Sequence, residues 1–340
     1  MALSRYTIVL LLLLLVSHAF SQSIQKHQLP DVVHSSFRGL SVVNDSVAWV
    51  SGNKGWVGHT TNGGKHWAFN QIQGFEGLDF RTLFAFNDST AITANAGSPG
   101  YILRTTNGGQ SWQTVYTNNH TGIFMDGVDF WNDQAGVIYG DPIEGRMFLL
   151  FTTDGGKSWQ EPAQETRPKL NEGEASFAAS GTGIRCYSKS QLVIATGGKT
   201  SRLFLSDNRG QTWRILTAPV QQGKESAGIF SVAFHKKRGV VVGGDFVLDS
   251  VKAKNSFYTR DGGKTWRESS VAPNGYRESV EFISAQMLIT TGPTGTEYSA
   301  DGGNTWISIS TERGFHAVRK ARHGNKVFIV GNNSVGSITF

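Results

Sequence analysis

A basic residue follows an aromatic one at four widely spaced points where strand-like text begins. The four pairs are Phe37-Arg38, Phe80-Arg81, Tyr276-Arg277 and Phe315-His316. Arginine presents planar, bidentate donors that match carboxylates and phosphates. Four such groups at equivalent places of a repeated unit would form an anion-binding site. Whether they are equivalent depends on the elements that carry them.

Acidic residues in loops are the candidates for acid–base chemistry. They are Asp141, Glu144, Glu174 and Asp245. Two carboxyl groups can act as general acid and base when their geometry is right, but acidic pairs are also common in solvated loops. The metal patterns HxH, HExxH and CxxC are missing from the sequence, as is the serine-hydrolase pattern GxSxG. We therefore expect no metal and no cofactor, and catalysis is only an alternative.

One octapeptide pattern occurs six times and defines the repeated unit. The copies span residues 60–67, 105–112, 152–159, 206–213, 259–266 and 299–306. Each fits Ser/Thr-x-Asp/Asn-x-Gly-x-Ser/Thr/His-Trp, which resembles the Asp box of sialidases, sortilin-type propellers and Ycf48-like proteins. The tryptophans recur every 40 to 54 residues with strand-like text between them. This period is typical of propeller blades.

The Asp box has the chemistry of a tight hairpin. Its Asp or Asn is expected to bond the backbone two residues on, and the following glycine supplies a positive φ. The Trp opens the next strand and is expected to pack against a neighbouring blade. We assign a structural role to all six acidic or amide residues: Asn62, Asn107, Asp154, Asn208, Asp261 and Asp301.

A second repeated feature indicates seven blades, one more than the boxes. An aromatic residue opens the innermost strand of each: Phe37, Phe80, Phe124, Phe177, Phe230, Tyr276 and Phe315. The text at Phe177 departs from the pattern, and its register stays open. The last unit has three strands and no box, and residues 24–33 supply its fourth strand. The sequence therefore predicts an all-β fold, a single seven-bladed β-propeller over residues 22–340, closed by its N-terminal strand.

The predicted fold puts the ligand site on the face opposite the boxes, where blade linkers converge near the axis. Because the ring closes, Arg277, His316, Arg38 and Arg81 fall on four consecutive blades. They predict an anion-binding arc. The alternative, in which each arginine pairs with a neighbouring acid, stays open.

The first 21 residues have the composition of a secretory signal. Arg5 precedes an apolar run, and small residues before Gln22 predict cleavage near Ser21. We expect an exported protein, periplasmic or extracellular, without an integral membrane segment and monomeric. The net charge of +6 gives no support for nucleic-acid binding. The single cysteine, Cys186, excludes a disulfide within the chain.

The combination of boxes with Phe-Arg text at residues 37–67 resembles the repeats of Ycf48-like proteins. That resemblance implies an exported assembly factor with an arginine patch, to which Arg38, Arg81 and Arg277 are the candidate matches. Sialidases are more distantly similar. They use three arginines with a Tyr–Glu pair, for which Tyr276 and Glu278 are candidates, but this chain has no Phe/Tyr-Arg-Ile-Pro segment.

We therefore predict a non-enzymatic binding or assembly scaffold for a protein partner or anionic ligand. A secreted glycoside hydrolase acting on acidic glycans is the alternative.

Overall fold

The computed structural model describes residues 23–217 and 219–340, and the predicted signal segment lies outside them. The described chain is built of short strands, with a 3-10 turn at Gln164–Thr166. The inner strands of seven sheets contact one another in sequence order, and the last contacts the first. This closed ring confirms the seven-bladed propeller.

Neighbouring strands of each blade are antiparallel, and they follow one another from the axis of the ring outwards. In that order, blade 1 contains Phe37–Val42, Ala48–Gly52, Trp56–Thr60 and Ala68–Gln71; blade 2 contains Thr82–Ala85, Ala91–Ala94, Gly100–Thr105 and Gln113–Asn118; blade 3 contains Met125–Phe130, Gly136–Ile143 and Arg146–Thr152; blade 4 contains Ile184–Tyr187, Gln191–Ala195, Arg202–Ser206 and Arg214–Thr217. Blade 5 contains Ala227–His235, Arg238–Asp245, Ser256–Thr259 and Arg267–Glu268, with Gly197–Gly198 and Glu174–Ala175 added at its inner edge; blade 6 contains Ser279–Phe282, Leu288–Gly292, Gly295–Ser299 and Ile307–Ser310; blade 7 contains Phe315–Lys320, Val327–Gly331, Ser334–Thr339 and Ser23–His27.

The apolar core lies between neighbouring blades. The second strands Ala48–Gly52 and Val327–Gly331 are buried along their whole length, because other blades cover both of their faces. The tryptophans of the Asp boxes cover the outer part of these contacts between neighbouring blades. Trp112 of blade 2 meets Trp49 of blade 1 edge to face at 6.3 Å between ring centroids. The predicted packing of the box Trp against a neighbouring blade is confirmed.

The N-terminal strand closes the ring as predicted. Ser23–His27 pairs antiparallel with Ser334–Thr339, with Ser23 opposite Thr339. The ring of His27 also bonds the Gly64 carbonyl oxygen of blade 1 and the Ser337 hydroxyl, the latter at 3.1 Å. This strand therefore joins the first and last blades.

The Asp boxes are hairpins between the third and outer strands, and their network differs in one respect from the prediction. In blade 3, Asp154 Oδ1 accepts from the backbone N–H groups of Lys157 at 2.9 Å and Ser158 at 3.0 Å. The bonds thus reach three and four residues on, not two. The box hydroxyl of Thr152 accepts the Gly156 N–H at 2.9 Å, and Gly156 has the predicted positive φ of 74°.

Replacing Asp154 by Ala is expected to lower the free energy of unfolding by about 1 kcal/mol at neutral pH, since the loop loses charge-assisted hydrogen bonds that solvent partly replaces. Burial alone would raise the pKa of Asp154, but bonds from Ser158 and Thr152 outweigh it and lower the pKa to about 2. A lowered pKa stabilises the fold above the ordinary value of 3.8 and ceases to do so as the pH falls through about 2. Urea denaturation measures both effects.

The matched control is Asp154→Asn, because three natural boxes carry Asn and keep the hairpin. It should cost less than Asp154→Ala. An equal loss of stability for Asp154→Ala at pH 7 and pH 2 would contradict this account of the box.

Blade 4 departs from the repeat because the chain before its inner strand runs through the centre of the ring. Residues 178–183, here the channel segment, are all buried. The Ala179 carbonyl oxygen accepts from Arg38 Nη1 at 2.7 Å, and Ser180 Oγ donates to the Glu278 carbonyl oxygen at 2.6 Å. The Gly181 carbonyl oxygen accepts from Arg319 Nη2 at 3.4 Å. Contacts with blades 1, 6 and 7 show that this segment fills the channel, which explains the irregular text after Phe177.

Candidate functional site: the mouth opposite the Asp boxes

The strand register decides which residues are equivalent at the mouth, the end of the ring opposite the boxes. A β-bulge leaves Arg38 unpaired in blade 1 and His316 unpaired in blade 7. Leu40 pairs with Val50 in blade 1, and Val280 pairs with Thr290 in blade 6. Leu40 and Val280 occupy equivalent positions in their blades. The residue two places before Leu40 is Arg38, and the residue two places before Val280 is Glu278, so Glu278 and not Arg277 is equivalent to Arg38. The mouth therefore carries Arg38, Arg81 and His316 from the predicted set, together with Glu278.

Arg277 belongs to the interior of blade 6. Its side chain is fully buried, and its Nε donates to Glu297 Oε2 at 2.6 Å. Its Nη1 also donates to the Tyr276 carbonyl oxygen at 2.7 Å. A shift of one residue along a strand turns the side chain to the other side of the sheet. The prediction of Arg277 at the mouth is corrected accordingly.

Glu278 is the centre of the polar cluster at the mouth. Its Oε2 lies 2.6 Å from His316 Nδ1 and 3.3 Å from Arg38 Nη1, and its Oε1 accepts the Tyr276 hydroxyl at 3.2 Å. Burial would raise the pKa of Glu278, but the charges of Arg38 and His316 outweigh burial and lower the pKa. The carboxylate is therefore ionised, and it holds Arg38 and His316 in fixed positions.

Arg81 has its own acidic partner and is more open to solvent. Its Nε donates to Asp79 Oδ2 at 2.7 Å, and its side chain is 32% exposed against 19% for Arg38. The alternative that each arginine pairs with a neighbouring acid is thus realised for Arg38 and for Arg81. Asp126 of blade 3 lies nearby, fully buried, and burial raises its pKa well above the ordinary value. Protonation of Asp126 would remove one negative charge from the mouth.

The four candidate acids for catalysis hold loops together. Glu174 is buried against Arg202, with Oε2 and Nη2 2.5 Å apart. Asp245 accepts the Val247 N–H at 2.9 Å. Asp141 accepts the Ser176 N–H at 2.8 Å, and Glu144 accepts from Gln164 Nε2 at 3.0 Å. Within residues 23–217 and 219–340, no hydrogen bond joins any two of these acids.

An aromatic shelf, with Phe230 and Tyr276 buried, lies beside the polar cluster of the mouth. The rings of Phe177 and Phe230 stack at 3.8 Å between centroids, and Phe230 meets Tyr276 edge to face at 4.5 Å. Phe246 extends this shelf at 6.3 Å from Phe230. Since the Tyr276 hydroxyl bonds Glu278, the shelf is continuous with the polar cluster.

The loop that follows the second strand of blade 5 adds exposed apolar surface beside the shelf. Phe246, Val247 and Leu248 are 51%, 68% and 45% exposed. The sequence analysis selected only Asp245 near this loop, and it missed these three side chains. Three consecutive large apolar residues in a loop were the available signal.

Comparisons with known proteins agree with this architecture. Residues 257–268 match the BNR/Asp-box repeat family. No curated protein matches the chain significantly in sequence. The described part of the chain offers no helix with the length and apolarity of a membrane span.

Solved structures share the fold over nearly the whole chain. A structure of YCF48 bound to D1 peptide is 15% identical with a TM-score of 0.66, covering 94% of this chain and 97% of that one. YCF48 from Cyanidioschyzon merolae is 16% identical with a TM-score of 0.62, covering 93% and 98%. The WD40 propeller domain of Doa1 is 10% identical with a TM-score of 0.60, covering 94% and 97%.

These findings define the protein as a seven-bladed propeller with Asp-box repeats. The predicted resemblance to Ycf48-like propellers is confirmed in the repeat and the fold.

Proposed function

We propose that the protein is an exported, non-enzymatic propeller that binds an extended segment of a protein partner at the mouth. The main observation behind this proposal is that a charged surface and an apolar surface lie side by side at the mouth. The arginines of blades 1 and 2 offer positive charge, and Phe246, Val247 and Leu248 in the loop of blade 5 offer exposed apolar contact. A small anion would use only the first surface. A partner segment that combines acidic and apolar side chains would use both.

The exposed loop adds to the case for a protein partner. Covering Phe246, Val247 and Leu248 removes large apolar side chains from water, which favours association at about 25 cal/mol per Å² of apolar area buried. A solved structure of YCF48 contains a D1 peptide, so a propeller of this architecture can hold a peptide. Export rests on the signal-like text of residues 1–21.

The arrangement gives less support to a sialidase-like hydrolase. Tyr276 and Glu278 do touch, as a Tyr–Glu pair requires, but Arg277 is buried in its pair with Glu297. The mouth is left with Arg38 and Arg81 from the predicted triad of arginines.

Affinity capture from the native cell envelope tests the proposal. The mature protein is the bait, and the matched baits are Arg38→Gln/Arg81→Gln and a control variant of the box face, Lys157→Gln/Lys264→Gln. We expect one partner to be retained by the wild type and the control and lost by the mouth variant. Added salt should weaken capture, because it screens the charges of the mouth.

A partner retained equally by all three baits would show that binding occurs elsewhere. Hydrolysis of any glycan in a broad panel by the purified protein would overturn the non-enzymatic proposal.

A further inference from the structure

A second cavity lies at the other end of the channel segment, on the side of the Asp boxes. Its volume is about 230 Å³, and the ends of the inner strands of all seven blades line it. The bond from Arg319 to the Gly181 carbonyl oxygen ties its wall to the channel segment. We call it the box-side cavity. It is separate from the mouth, because buried residues 178–183 fill the ring between them.

Cations outnumber acids in this cavity. Its charged lining consists of Arg185, Arg319, Lys320, Arg322, Asp129 and Glu281. Glu281 Oε2 is engaged by Arg185 Nη2 at 2.8 Å and by Arg319 Nη1 at 3.5 Å. Neither acid lies within 4.0 Å of Lys320 or Arg322, and among the described residues these two cations form no ion pair.

Asp129 interacts electrostatically with Arg322 but forms no ion pair with it. Its two oxygens accept the backbone N–H groups of Phe130 at 2.9 Å and Cys186 at 2.8 Å. Burial raises the pKa of Asp129 and that of Glu281, and the nearby Arg185 offsets burial only in part. If either acid took up a proton, the surplus of positive charge would grow.

Arg322 is held in place without a carboxylate. Its Nη1 donates to Ser41 Oγ at 3.1 Å, and its guanidinium lies 4.5 Å from the centroid of the Phe84 ring. A further bond reaches the Ala85 carbonyl oxygen. Arg322 thus spans from blade 7 across blade 1 to blade 2, and its position is set before any ligand arrives. Preorganised donors of this kind favour oxyanion binding.

We infer that the box-side cavity binds a small multivalent oxyanion, such as inorganic phosphate or a short dicarboxylate. The volume is below the roughly 300–1,000 Å³ of sites for drug-sized ligands, which favours a ligand of few atoms. Lys320 and Arg322, which form no ion pair among the described residues, supply the positive charge. A bound anion would link the cations of blades 4 and 7 at the centre of the ring and would raise the melting temperature by mass action.

Titration calorimetry with sodium phosphate and, separately, sodium malonate tests this site at constant ionic strength. We expect saturable binding of one anion per chain, and the tighter of the two ligands identifies the preferred class. The double variant Lys320→Met/Arg322→Gln should bind at least about tenfold more weakly, since charge-assisted hydrogen bonds are lost. It should also lose the rise in melting temperature. The mouth variant Arg38→Gln/Arg81→Gln is the control and should bind like the wild type.

Two results would overturn the inference: no saturable binding of either anion up to 10 mM, about a hundredfold excess over the protein, or binding that survives in the cavity variant and disappears in the mouth variant. Circular dichroism checks that each variant is folded. If the double variant does not fold, Lys320→Met alone replaces it, and an affinity equal to the wild type would then contradict the site.

Discussion

Deleting residues 334–340 should abolish soluble folding of the propeller. The deletion removes Ser334–Thr339, which pairs with Val327–Gly331 on one side and with Ser23–His27 on the other. Two strand edges would then be open, and the N-terminal strand would have no partner. Apolar residues of the last blade, among them Phe328 and Ile329, would lose their cover. Circular dichroism and gel filtration measure the result.

The matched control for this deletion removes only Phe340, which lies beyond the paired register that ends at Thr339. The shorter deletion should remain folded. If the protein lacking residues 334–340 stays a folded monomer with the melting temperature of the wild type, the closure account is wrong.

Replacing Arg277 by Met should lower the free energy of unfolding by about 3–5 kcal/mol, because Glu297 would be left buried without its partner. Both side chains are almost completely buried in the structure. Urea denaturation followed by tryptophan fluorescence measures the change. The second replacement Glu297→Leu should restore part of the stability in the Arg277→Met background.

Arg313 provides the matched control, because it forms a surface ion pair with Asp249 at 2.5 Å and its side chain is 65% exposed. Arg313→Met should cost less than about 1 kcal/mol. A loss for Arg277→Met no greater than that for Arg313→Met would show that the buried pair does not stabilise blade 6 as described.

The fold was predictable from sequence because the Asp box carries its own turn chemistry. Each copy places a hydroxyl, an amide or carboxylate and a glycine within five residues, so the hairpin forms from local contacts. The closing strand was predictable by elimination, since residues 24–33 and the last three strands were each incomplete. Both predictions used features that repeat.

The mouth was only partly predictable because its details do not repeat. Phe37 lies three residues before Leu40, whereas Tyr276 lies four residues before the equivalent Val280, and this offset places Glu278 instead of Arg277 level with Arg38. No periodic signal marks the channel segment, whose contacts include blades 1, 5, 6 and 7. The acids of the loops resemble catalytic residues in sequence, but Glu174 is a buried partner of Arg202.

The central claim is that the mouth binds a segment with acidic and apolar side chains. Selection from a random dodecapeptide library on the immobilised mature protein, followed by anisotropy titration of the labelled consensus peptide, tests it most directly. We predict a consensus with Asp or Glu beside a large apolar residue. Its Kd should rise about tenfold or more in Arg38→Gln/Arg81→Gln and in Phe246→Ser/Val247→Ser, and remain unchanged in Lys320→Met/Arg322→Gln. A basic consensus, or an affinity that neither mouth variant lowers, would contradict the claim.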